Sequence, residues 1–166
     1  MGATKTRAMK GHQSARPETT IWLTPPDIIE SLGPFDLDPC AAPSPRPWST
    51  AQEHYELPQD GLLLPWRGLV WVNPPFGAAS DKWLAKALKH QNALVLLPAA
   101  TETERWFKYI WRRANGILFL EGRPHFYRPD GARAAANSGC SLAVVAYGGE
   151  ACQRIQYSKL GRFVFS

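Results

Sequence analysis

Leu69-Val70-Trp71-Val72-Asn73-Pro74-Pro75-Phe76-Gly77 reads as a buried strand that runs into a rigid turn. The apolar run is too short for an independent helix and is β-branched and aromatic, which suits a pleated strand. Two consecutive prolines then fix φ and withdraw two backbone N–H donors, so the turn presents carbonyl oxygens with few donors competing for them. Asn73 adds a side-chain carbonyl, and Phe76 adds a flat aromatic face beside it. After a short link, Ser80 is placed to cap a helix reaching about His90, with Trp83, Leu84, Ala87 and Leu88 as its buried stripe.

The alternation continues in both directions. Thr24-Pro25-Pro26-Asp27 starts a helix, with Thr24 as N-cap and prolines in the first turn, and Gly33-Pro34 ends it. Phe35 to Asp38 is a strand ending in a carboxylate, and residues 43–58 are proline-rich and irregular, with Trp48 and Tyr55 as packing anchors. Downstream, Asn92 to Pro98, Gly116 to Leu120 and Ser141 to Tyr147 are apolar strands, and Arg162 to Ser166 is an edge strand. Thr101-Glu102-Thr103-Glu104 is a capping box opening a helix with Trp106, Phe107, Ile110 and Trp111 inward. Strands alternating with helices predict a three-layer α/β fold of Rossmann type with a mostly parallel sheet. One domain is expected over residues 21–166, preceded by a basic arm at residues 1–20 that carries Lys5, Arg7, Lys10, His12 and Arg16.

Composition narrows the partners. The net charge of +5 suits a polyanionic partner without identifying one. Cys40, Cys140 and Cys152 have neither paired nor metal-type spacing, so they read as reduced thiols with no disulfide framework and no metal site. No apolar run is long enough to span a bilayer and no signal-peptide pattern is present, so a cytoplasmic protein without a membrane partner is expected.

An acceptor pair beside an aromatic plate suits an aromatic amine. If Asn73 Oδ1 and Pro74 O each accept a proton from an exocyclic NH2, electron density is drawn onto the nitrogen and its lone pair becomes available for attack. Phe76 would stack on the heterocycle and set its plane. The plainer reading is a strand stopped by Pro74-Pro75 with Phe76 in the core.

Asn73-Pro74-Pro75-Phe76 resembles the (N/D/S)-P-P-(Y/F) motif of amino-methyltransferases that use S-adenosylmethionine. The ordered set Trp22-Leu23-Thr24-Pro25, Phe35-Asp36-Leu37-Asp38-Pro39, Asp60-Gly61-Leu62 with Pro65-Trp66, and then the Asn-Pro-Pro-Phe turn is similar to the phage-type DNA N-6-adenine methyltransferases (Dam), over about Trp22 to Gly148. The resemblance implies methyl transfer from S-adenosylmethionine to the N6 amine of adenine in double-stranded DNA, with the base flipped out of the helix. It also implies a phage or prophage setting. Asn73, Pro74, Pro75 and Phe76 are the implied catalytic set. Trp22, Thr24 and Pro25 are placed beside the cofactor, Asp36, Asp38 and Pro39 at a strand end facing it, and Asp60 on its adenine side. Ala41-Ala42 stand where methyltransferases usually carry glycines.

Residues 121–133 interleave base and ring, as expected of a nucleic-acid face: Arg123, His125, Tyr127, Arg128 and Arg133 are its candidates. A solvated loop is the competing reading, and a lone histidine is more often structural. No obligate protein partner is implied. Two other functions fit the same residues: methylation of RNA adenine or of a protein glutamine, and a non-catalytic nucleic-acid-binding module that has lost its cofactor site, as the missing glycines would suggest.

Overall fold

A computed structural model describes residues 21–166, so the expected basic arm lies outside the described residues. The elements run α1 (Pro26–Leu32), β1 (Leu37–Asp38), β2 (Glu53–His54), β3 (Val70–Val72), α2 (Ser80–His90), β4 (Ala93–Pro98), α3 (Glu104–Tyr109), β5 (Gly116–Leu120), β6 (Leu142–Tyr147), α4 (Gly149–Tyr157) and β7 (Gly161–Val164). The strands form one sheet in the order β2-β1-β3-β4-β6-β5-β7.

β3 shows why the sheet has two cores. Val70 and Val72 pack in one cluster with Trp83, Leu84 and Ala87 of α2 and Trp106 of α3. Leu69 and Trp71 pack on the opposite face with Ile28, Ile29 and Leu32 of α1 and Ala151, Cys152 and Ile155 of α4. Period-two alternation sends neighbouring residues to opposite faces, and both faces are covered by helices, so the strand is apolar throughout.

The mostly parallel sheet expected from the alternation is corrected to a mixed one. β2, β1, β3 and β4 pair in parallel, whereas β4–β6, β5–β6 and β5–β7 are antiparallel. The cause is the segment between β5 and β6. A parallel return needs a crossover, usually a helix, and residues 121–141 form none. β6 therefore starts at the edge where β5 ends and runs back between β4 and β5.

Local expectations also shift. Pro25 rather than Thr24 stands at the N-cap of α1, with no side-chain cap. Ser80 Oγ reaches back to Pro75 O at 2.8 Å instead of capping α2, and Thr103 rather than Thr101 stands at the N-cap of α3, where its Oγ1 donates to Ala100 O at 2.7 Å instead of accepting an α3 amide. Phe107, expected inward, is 66 % exposed. Trp106 and Ile110, one helical turn apart, take the inner face, and Phe107 sits about 100° round from Trp106. Among the described residues no helix is long and apolar enough to cross a membrane.

Candidate active site

The parallel half of the sheet brings the carboxyl ends of β2, β1, β3 and β4 to one edge, where open α/β sheets bind ligands. β5 also ends there, because it is antiparallel to β6, which is itself antiparallel to β4. The Asp38-Pro39 and Asn73-Pro74-Pro75-Phe76 segments leave adjacent strands at this edge, and residues 121–133 leave β5 there.

Asn73 is half-buried, Pro74 buried, and Pro75 and Phe76 exposed. Asn73 Nδ2 donates to Trp22 O at 3.3 Å. That bond engages the donor end of the amide and leaves Oδ1 as its acceptor. Phe76, 43 % exposed, is outside the core.

The Trp22–Pro25 segment lies between this turn and the basic hairpin. Leu23 N donates to Tyr127 O at 2.8 Å and Tyr127 N donates to Leu23 O at 3.0 Å. Trp48 Nε1 donates to Thr24 O at 3.2 Å, and its ring meets Tyr127 edge-on at 5.1 Å. Thr24 and Pro25 are buried, and the half-buried Trp22 packs against the core on the α1 side.

Asp38, 4 % exposed, accepts Thr50 Oγ1 at 2.5 Å and Cys40 N at 3.0 Å. Burial pushes its carboxyl up to about 6 against the pull of those bonds and of Arg46. Burial, then the Asp38 charge, pushes the Cys40 thiol up to about 12, so it is no nucleophile near neutrality. Beyond Thr50, His54 Nε2 accepts the amides of Thr50 and Ala51, each at 3.3 Å. Burial first, then Arg46, lowers its pKa and favours the neutral ring.

Asp36 is not brought to this edge. Its Oδ2 accepts Leu69 N at 2.6 Å, and its backbone N–H donates to Leu69 O at 2.9 Å, where β3 begins. Asp60 is exposed and accepts Leu62 N at 2.9 Å. A Cβ on Gly61 would fall 1.8 Å from Pro39 O, so the Asp60-Gly61 turn packs directly on the segment after Asp38. Lys86 of α2 holds the same turn through Gly61 O at 3.0 Å, Leu62 O at 2.9 Å and Leu64 O at 2.5 Å.

The basic stretch is a pinned hairpin. Tyr127 bridges Arg133, Arg128 N donates to Ala132 O at 2.8 Å, and Gly131 turns the tip at φ 83°. His125 Nδ1 donates to Ala134 O at 2.9 Å, a structural bond. Arg123 and Arg133 are exposed, and Tyr127 and Arg128 are half-buried.

Thr50, Lys86 and Arg105 escaped the sequence reading. Thr50 sits in an irregular stretch without periodicity, and Lys86 and Arg105 look like ordinary solvated helix residues. Among the described residues no cluster of three His, Cys, Asp or Glu side chains could hold a metal ion. Residues 11–158 match the sequence model of one family, described as DNA N-6-adenine-methyltransferase (Dam). No curated protein and no solved structure matches the chain.

Proposed function

The chain belongs to the Dam family of DNA N-6-adenine methyltransferases, and from that premise we propose that it takes its methyl group from S-adenosylmethionine and delivers it at the Asn73 turn to an adenine flipped out of duplex DNA. The observation that carries this reading is the Asn73 amide: with Nδ2 held by Trp22 O, Oδ1 is left as its acceptor at the strand end, one strand from the buried Asp38.

Asn73 Oδ1 and Pro74 O accept the two N–H bonds of the amine, which turns its lone pair toward the methyl and away from conjugation with the ring. Phe76 stacks on the flipped base, an interaction worth about 1–3 kcal/mol against an extrusion cost of about a few kcal/mol. S-adenosylmethionine supplies an electrophilic methyl on a positively charged sulfur and leaves as the neutral thioether. The amine's surplus proton passes to solvent after transfer, so no strong base is needed.

The residues fit such a donor. Asp38 uses one acceptor site on each oxygen for Thr50 and Cys40, which leaves capacity for an ammonium or a ribose hydroxyl. Pro39, Asp60 and the Trp22–Pro25 segment flank it, and Ala41 and Ala42 replace glycines at modest steric cost. Asp36 has no place in this assignment, because its carboxylate serves Leu69. On the DNA side, Arg123 and Arg133 meet phosphates, Tyr127 and Arg128 line the hairpin, and His125 shapes it. Residues 21–166 act as one methyltransferase domain without an obligate protein partner.

The test is transfer of labelled methyl from S-adenosylmethionine to unmethylated duplex DNA and to RNA, followed by digestion to nucleosides. Label in N6-methyladenine from DNA is expected. Label confined to RNA would overturn the substrate, and no binding of S-adenosylmethionine would overturn the donor.

A further inference from the structure

The carbonyls of the turn are unequally available. Pro75 O accepts Ser80 Oγ at 2.8 Å. Gly77 O accepts Ser80 N at 3.1 Å and Arg105 Nη2 at 2.5 Å. Ser80 is buried as the first residue of α2. Arg105 belongs to α3, and its Nε is bonded to the Asp81 carboxylate, so one guanidinium ties α3, α2 and the end of the turn together. On the other side, Asn73 Nδ2 is held by Trp22 O.

We infer that Ser80 and Arg105 are positioning residues for the methyl transfer, holding the Pro75 and Gly77 carbonyls against the helices so that Asn73 Oδ1 and Pro74 O are the pair presented to the amine. The inference rests on the reading of Asn73 and Pro74 as the amine's acceptors. Neither Ser80 nor Arg105 touches the base. Their bonds set the path of a turn whose prolines supply no N–H of their own, so its geometry depends on donors brought from outside. Arginine suits this place because one rigid plane serves the Asp81 carboxylate and the Gly77 carbonyl together, whereas a lysine is a point charge on a flexible stem. A turn released by about 1 Å misplaces the amine, and such shifts slow the chemical step without weakening the binding of either partner.

The test is the single-turnover rate of labelled methyl transfer, with the full chain in excess over duplex DNA, for wild type, Ser80→Ala, Ser80→Thr, Arg105→Lys and Asn73→Ala. Cofactor affinity, DNA affinity and melting temperature are measured beside it. Ser80→Ala and Arg105→Lys are each expected to slow transfer by about tenfold, with both affinities within about twofold of wild type, and Ser80→Thr, which keeps the hydroxyl, to recover most of the rate. A merely structural role would lower the melting temperature and leave the single-turnover rate unchanged, and that result would overturn the inference. Should Ser80→Ala not fold, the half-buried Arg105 carries the same test. Wild-type transfer by Asn73→Ala would sink the underlying reading instead. An inactive Asn73→Ala beside full-rate Ser80→Ala and Arg105→Lys would sink this inference alone.

Discussion

Asp36 and Asp38 stand two residues apart, and strand alternation puts them on one face, yet their surroundings differ. Asp36 is drawn to the Leu69 amide at the start of β3, while Asp38 is buried at the end of β1 against Thr50 and Cys40. The chain pattern could place a carboxylate at a strand end but could not choose between the two, because β1 is only Leu37–Asp38 long and the deciding donors come from residues 69 and 50. The Asp38 carboxyl titrates at about 6, above its ordinary 3.8. A folded-state value raised above the unfolded one means that the fold favours the protonated form. The residue's contribution to stability therefore falls as pH rises from about 4 to about 6 and is level above that. If Asp38 holds the cofactor as proposed, binding runs the opposite way, because the ionised carboxylate is the better partner for a cation. Calorimetry from pH 5 to pH 8 should show S-adenosylmethionine affinity rising with a midpoint near 6 and flattening above 7. In Asp38→Asn the step should vanish; a step that persists would place the titrating group elsewhere.

Among elements, those with a strong apolar period were legible: α2 runs from Ser80 to His90 as expected, and β3, β4, β5 and β6 fall on their apolar runs. β2 was not, since Glu53–His54 has no apolar character and pairs only because β1 lies beside it. α4 was hidden by Gly148-Gly149, which reads as a breaker, and only Ala151, Cys152 and Ile155 mark its inner face. The Asp60-Gly61-Leu62 turn was visible as a motif, but its contact with Pro39 and its Lys86 anchor are tertiary. Gly61→Ala must push this turn off Pro39, because the added methyl has no room there. A loss of about tenfold or more in S-adenosylmethionine affinity is expected, with a lowered melting temperature. An alanine variant that melts lower yet binds the cofactor as wild type would remove the turn from the cofactor site.

For the whole molecule, the reversal between β5 and β6 decides where the basic hairpin lies. Because residues 121–141 carry no helix, the basic hairpin stays at the edge that holds the Asn73 turn instead of crossing to the far side of the sheet. Alternation alone suggests a mostly parallel sheet, since a composition rich in turn residues does not reveal which edge a segment occupies. The net charge of +5 adds a general attraction to DNA, whereas the exposed Arg123 and Arg133 can make discrete phosphate contacts. Arg133→Gln should lower the slope of log affinity against log salt by about 1 and leave the rate at saturating DNA unchanged; an unchanged slope would take Arg133 off the DNA. The claim that joins these scales is that the Asn73 amide activates the adenine amine, and its most direct measurement compares single-turnover methyl transfer to duplex DNA by wild type and Asn73→Ala, with S-adenosylmethionine affinity measured on both. The account predicts a loss of about a hundredfold or more in rate with cofactor affinity retained. Transfer by Asn73→Ala near the wild-type rate would contradict it.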